Sequence, residues 1–189
     1  VPLKPTPQYL AKILVAGPVG SGKSTFVQTL SHTPYVETDV VASEEIGKLG
    51  TTVGIDFGTV DVNDMRILLF GVPGQDRFDF MWEIAGIGAH ALLLVIASDR
   101  PACFVEARKV LRFLRGHSEV PVLVGLTRTD LGKDWDHSEV GQYLDVSPDC
   151  ILKLDARNRE SCMQVLRTLF EYFAPQSTTF TSQKTLSLV

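Results

Sequence analysis

The 189-residue sequence has no Cys-x-x-Cys pair, no surplus of positive charge and no apolar run near the roughly 18–20 residues of a membrane span. Each absence closes a class of function. The three cysteines, Cys103, Cys150 and Cys162, are an odd number at irregular spacing, so no disulfide framework is expected. They read as reduced thiols of a cytoplasmic protein. Lys and Arg number 18 against 22 Asp and Glu, a net charge of −4. That balance argues against a nucleic-acid partner, which needs a basic face. The N-terminus lacks the apolar core of a signal peptide, and the C-terminal TSQKTLSLV has no cysteine to prenylate, so no intrinsic membrane anchor is expected. Internal repeats and low-complexity stretches are also missing.

What remains is a chain that is 44% hydrophobic, enough to bury a sizeable core in a single domain. Residues 1–9, with three prolines, read as a flexible arm, residues 10–175 as the domain, and residues 176–189 as a polar tail. Within the domain, strand-like and helix-like segments alternate. AKILVAG (11–17) is followed by helical SGKSTFVQTL, and residues 32–50 show no clear period. TVGIDFGTVDV and MRILLF flank Asn63-Asp64 as a predicted hairpin. A helix is predicted in RFDFMWEIAGIGAH, then strand ALLLVIA (91–97) and a helix from Pro101 to about Arg115. Its apolar positions are Phe104, Val105, Val110, Leu111 and Leu114. Strand VPVLVGLT (120–127), a short helix near 137–144, strand CILKL (150–154) and a helix over 159–173 complete the pattern. The last helix has a stripe of Met163, Leu166, Leu169, Phe170 and Phe173 for the core. The expected fold is α/β, with helices on both faces of a six-stranded, mostly parallel sheet that has one antiparallel edge strand. In such folds ligands bind at the carboxyl ends of the strands.

Residues 17–24, GPVGSGKS, match the phosphate-cradling pattern Gly-x-x-x-x-Gly-Lys-Ser, with a strand before and a helix after. Gly17, Gly20 and Gly22 let the backbone turn its N–H groups toward an anion, and the helix N-terminus adds its positive end. Pro18, Val19, Ser21 and Thr25 fall in the same loop and first turn. Lys23 would meet the β and γ phosphates, and Ser24 would bind Mg²⁺. The three-layer architecture of P-loop nucleotide-binding proteins is therefore expected. A second loop, GVPGQDRF (71–78), ends a strand on the same edge of the sheet. There Gly74 would let its N–H approach a γ-phosphate and Gln75 would orient water. Thr52 offers a hydroxyl to the metal before the hairpin. In LTRTDLG (126–132), Asp130 complements the N1–H and 2-amino donors of guanine, which adenine lacks. Arg128 would cover the base, and the N–H of Ala156 in LDARN (154–158) would reach its O6.

With these loops in this order, the chain resembles the Ras-like small GTPases over about residues 10–175. TVGIDF and PGQDRF are similar to the switch segments of the Rab branch. The wider wording TTVGIDFG with LFGVPGQDRFDFMWE resembles bacterial and archaeal MglA-like and signal-recognition-particle-receptor-β-like proteins. The resemblance implies GTP and GDP as ligands and Mg²⁺ as cofactor. It places Gly17, Pro18, Val19, Gly20, Ser21, Gly22, Lys23, Ser24, Thr25, Thr52, Gly74, Thr127, Arg128, Asp130, Ala156 and Arg157 around the nucleotide. It assigns catalysis to Gln75, Gly74 and Lys23, and the metal to Ser24 and Thr52. A roadblock/LC7-type regulator at the switch loops is the partner it suggests.

Three departures qualify the resemblance. Gly71 stands where most Ras-like proteins have a metal-holding Asp, so metal binding is expected to be either weaker or handed to another acid, Asp56 being one candidate, but not abolished. Val19 replaces a glycine and should crowd Gln75 and any incoming arginine finger. Thr127 replaces an Asn in the base loop. The expected function is a slow GTP-hydrolysing switch, with a non-hydrolysing GTP-binding adaptor as the alternative; a P-loop ATPase or kinase fits less well, because of Asp130 and the absence of a lid insertion.

Overall fold

In the computed structural model, the described residues are 7, 9–32, 36–40, 53–72, 86–117, 119–132 and 134–173. The chain's most apolar stretch, β5 (Ala91–Ala97), shows why the domain is layered: all seven residues are buried. Successive side chains leave a strand on opposite faces. Leu92, Leu94 and Ile96 join one core cluster, while Leu93 and Val95 join the other. Only a strand covered on both sides has use for such a sequence.

Around it lie β1 (Tyr9–Ala16), β2 (Val36–Val40), β3 (Val53–Val62), β4 (Met65–Gly71), β6 (Val122–Thr127) and β7 (Ile151–Lys153). Their order in the sheet is β2-β3-β4-β1-β5-β6-β7. Strand β3 is antiparallel to both its neighbours, and the remaining pairs are parallel. Helices α2 (Pro101–His117) and α3 (His137–Leu144) cover one face, with Phe104, Val110, Leu111, Leu114, Val140 and Leu144 in its cluster. Helices α1 (Lys23–Leu30) and α4 (Arg159–Phe173) cover the other through Phe26, Leu30, Val165, Leu166 and Leu169. Each such side chain contributes about 1.5–3 kcal/mol by leaving water.

The expected three-layer fold is present, with one difference in the sheet. It has seven strands rather than six, because β2 forms within the segment that reads as irregular. Its sequence, VETDV, carries Glu37 and Asp39, charges suited to an outermost strand but hidden from any search for apolar alternation. The antiparallel strand therefore lies second from the edge. On α2, Val105 is exposed at 51% and Ala107 takes its expected place in the core. Cys162 and Val165 join the stripe of α4, which the sequence pattern omits. Of the helix expected in RFDFMWEIAGIGAH (77–90), residues 77–85 lie outside the described residues, and 87–90 form a turn and bend instead of continuing a helix. Among the described residues, no helix is long and apolar enough to cross a membrane.

Candidate functional site

The parallel arrangement brings the carboxyl ends of β1, β5, β6 and β7 to one rim. At the first of them, β1 runs into Gly17, whose φ of 140° and surroundings admit no side chain: a Cβ there would stand 2.1 Å from the Val95 carbonyl oxygen. Gly20 and Gly22 follow at φ 70° and 106°, so the loop turns sharply three times before α1 begins. Gly22 is the N-cap and carries no capping side chain, so the first-turn N–H groups of α1 receive none. That end of the helix suits an anion.

Lys23 folds back over the loop. Its Nζ donates to the carbonyls of Gly17 at 2.8 Å and Pro18 at 2.7 Å. Only 8% of the residue is exposed. Burial pushes its pKa down to about 8, against the pull of the Asp56 carboxylate in the other direction. A buried ammonium beside uncapped helix N–H groups is a phosphate-binding combination.

The loops after β6 and β7 meet the phosphate loop directly. A Cβ built on Gly22 would lie 3.5 Å from both Ala156 Cβ and Thr127 Cγ2. Thr127 is buried, and its Oγ1 donates to the Ser21 carbonyl at 2.7 Å. Its hydroxyl therefore braces the phosphate loop. Arg128, at φ 57°, reaches back with Nη2 to the Gly20 carbonyl at 3.2 Å. Thr29 Oγ1 ties α1 to the Ala156 carbonyl at 2.7 Å. Between these loops lies a cleft of about 420 Å³, lined by Ser21, Gly22, Thr25, Thr127, Arg128, Asp130, Ala156 and Arg157 among others.

At its far end, Arg157 Nη2 stands 3.7 Å from Asp130 Oδ2. Its nearer partner is Asp155, which takes Nε at 2.9 Å and the Arg157 backbone N–H at 3.0 Å. These bonds hold the Asp155 carboxyl below the usual range, the side-chain bond contributing most. Asp155 is a site residue that sequence reasoning missed, and its only signal is its place two residues before Arg157.

An acid stands beside the end of β4, on the neighbouring strand. Asp56 on β3 pairs directly with Gly71. A Cβ on Gly71 would lie 2.8 Å from Asp56 Cβ and 3.0 Å from its Oδ2, so the Asp56 side chain fills the space a residue-71 side chain would need. Ser24 Oγ donates to Asp56 Oδ2 at 2.6 Å. A hydroxyl and a carboxylate are the hard oxygen donors that Mg²⁺ takes. Among the described residues no group of three or more His, Cys, Asp or Glu could hold a metal. A divalent ion at Ser24 and Asp56 would complete its shell with water or with further oxygen donors, phosphate oxygens among them.

Of the expected site residues, the structure brings the 17–25 loop, Thr127, Arg128, Asp130, Ala156 and Arg157 to this rim. Val19 is 54% exposed. Thr52, Gly74 and Gln75 lie outside the described residues.

Comparisons with known proteins agree with this architecture. The family described as "Conserved hypothetical ATP binding protein" matches residues 35–187, a span that starts beyond the phosphate loop. An uncharacterized protein of Methanocaldococcus jannaschii is 29% identical over 164 residues, covering 85% of this chain and 96% of that one. Human ADP-ribosylation factor-related protein 1 is 28% identical over 122 residues, 63% of this chain and 59% of its own. The Ras-related protein Rab-32A of Dictyostelium discoideum is 24% identical over 139 residues, again 59% of its length. The chain thus spans nearly all of the archaeal relative but under two thirds of the other two. The solved G domain of the T. maritima FeoB iron transporter matches with a TM-score of 0.64 at 18% identity, over 87% of this chain and 99% of that one. The fold is that of a G domain.

Proposed function

We propose that this chain, which belongs to the conserved hypothetical ATP binding protein family, binds guanine nucleotides in the cleft and hydrolyses GTP slowly as a molecular switch. The observation that carries the reading is one continuous cleft joining the phosphate loop to Asp130. A carboxylate at the base end pairs with the two donors on the guanine edge, and adenine would leave it unpaired. The family's description names ATP, so the base is the point to test. Nucleotide retained on purification, separated after denaturing the protein, should be GDP or GTP, and GTP should bind at least about 100-fold more tightly than ATP. Equal affinities would overturn the reading.

In this reading Lys23 and the α1 N-terminus hold the phosphates, with Ser24 and Asp56 holding Mg²⁺ alongside them and Thr52 as the expected further hydroxyl. Bound Mg²⁺ would neutralise charge developing on the transferring phosphoryl group. Gly74 would accept the γ-phosphate at its N–H and Gln75 would orient the attacking water. The 32–52 and 71–88 segments would respond to that phosphate. The resemblance to MglA-like proteins makes a roadblock/LC7-type protein the regulator to test there. Val19 favours the second reading, a GTP-binding adaptor that does not hydrolyse, because an exposed branched side chain on the loop rim obstructs an arginine finger. Phosphate release in a single turnover separates the two.

Lys23 gives this proposal a pH signature. With its pKa near 8 in the free site, the side chain is mostly a neutral amine at higher pH and must take up a proton to meet a phosphate as a cation. The Kd for GDP should rise about tenfold per pH unit above pH 8, measured by fluorescent-nucleotide displacement. A Kd flat between pH 7 and 10 would count against it. Stability should move the other way. The folded pKa lies below the unfolded value, so between pH 8 and 10.5 the unfolded chain binds more protons. The nucleotide-free fold should therefore gain stability as pH rises through that window.

A further inference from the structure

The turn from β5 into α2, Ser98-Asp99-Arg100, carries charges that no expected site residue explains. Arg100 Nη2 donates to the Gly20 carbonyl at 2.6 Å, the same oxygen that takes Arg128 Nη2 at 3.2 Å. Asp99, 19% exposed, lies between the two cations, 3.4 Å from Arg128 Nη1 and 3.9 Å from Arg100 Nε. Asp99 Oδ1 and Arg100 Nε are both buried with no hydrogen-bond partner among the described residues. Closing the 3.9 Å gap between them would satisfy both, yet the Arg100 head lies against the phosphate loop instead.

We propose that Arg100 is a positioning residue of the nucleotide site, acting through the Gly20–Ser21 peptide on the phosphate cup. In a trans peptide the C=O and the following N–H point in opposite directions. Two guanidiniums drawing the Gly20 carbonyl outward therefore turn the Ser21 N–H to the inside of the loop. There it makes only a long 3.3 Å contact with the Pro18 carbonyl, an acceptor that a phosphate oxygen would better. Gly20 sits at φ 70°, and a Cβ on it would come within 3.2 Å of Arg100 Nη2, so the left-handed turn and the arginine fit one another. Two cations against one carboxylate also leave a positive surplus on the outer wall of the cup, favourable to a polyphosphate.

The inference rests on the proposal that the cleft holds a nucleotide, and the test separates the two. Affinities for GDP and GMP are measured for the wild type, Arg100→Ala and Arg100→Lys, with ADP and AMP in parallel. The GDP-to-GMP ratio reads the phosphate cup, whereas the GDP-to-ADP ratio reads the base. Arg100→Ala should weaken GDP about tenfold, the scale of one charge-assisted hydrogen bond. It should leave GMP within about twofold, and Arg100→Lys should recover at least about half of the loss, since an ammonium still donates to the carbonyl. The side chain is 41% exposed, so nucleotide-free melting should be unchanged. GDP affinity unaffected by Arg100→Ala overturns the inference, and so does an equal loss for GDP and GMP, which marks general loosening. If the wild type prefers ADP, the guanine reading fails while the ADP-to-AMP ratio still judges Arg100. A wild type that binds neither nucleotide sinks both.

Discussion

Asp130→Asn should exchange guanine for xanthine as the preferred base. Guanine offers two donors along one edge, N1–H and the 2-amino group, and a carboxylate accepts both. An asparagine amide accepts one and turns an N–H toward the other, which suits the 2-oxo group of xanthine. The proposed wild-type pairing would consist of two hydrogen bonds to a charged group, each worth about 1.5–3 kcal/mol. Losing them should weaken GTP by about two to four orders of magnitude while XTP improves. Arg157 does not stand in the way of the guanine contact. Its 3.7 Å approach to Asp130 is long, and Asp155 holds it at 2.9 Å whether or not Asp130 is engaged. Competition of GTP and XTP against a fluorescent guanine nucleotide measures the exchange. A variant that still prefers GTP would remove Asp130 from the base site.

The parts of this molecule that were legible in the sequence are those where geometry restricts the residue type. GPVGSGKS is readable because a loop with three left-handed turns tolerates little but glycine at those points. β5 and β6 are readable because burial on both faces demands an unbroken apolar run. Strand β2 was not, since its sequence VETDV carries no apolar period. The Asp56 assignment was within reach in a different way. Sequence alone offers Asp56 as one candidate among nearby acids. The two-residue turn at Asn63-Asp64 pairs Val62 with Met65, and counting back along both strands sets Asp56 opposite Gly71. Register, not composition, singles Asp56 out as the acid opposite Gly71. Arg100 leaves no such trace, because its contact with Gly20 spans 80 residues and depends on how the β5–α2 turn meets the phosphate loop.

That register makes the proposed metal site testable by exchange. Asp56→Gly should remove the carboxylate beside Ser24, and with it most of the effect of Mg²⁺ on nucleotide release. In the wild type, chelating Mg²⁺ should speed GDP dissociation by about 100-fold or more, the scale of losing a divalent charge beside the phosphates. In Asp56→Gly, that response should shrink to a few-fold. Gly71→Asp alone should fare badly for another reason. Its Cβ would meet Asp56 Cβ at 2.8 Å, and two carboxylates would share one space, costing about 1–3 kcal/mol of stability. The double exchange, Asp56→Gly with Gly71→Asp, removes the clash and returns one carboxylate to the same point from the adjacent strand. It should melt higher than Gly71→Asp and regain the Mg²⁺ response lost in Asp56→Gly. If Asp56→Gly keeps the full response, the carboxylate on β3 does not hold the ion. If the exchange fails while both single variants behave as stated, the approach from β3 carries an orientation that β4 cannot reproduce. Recovery would mean that the site requires a carboxylate at that position in space and is indifferent to which strand supplies it.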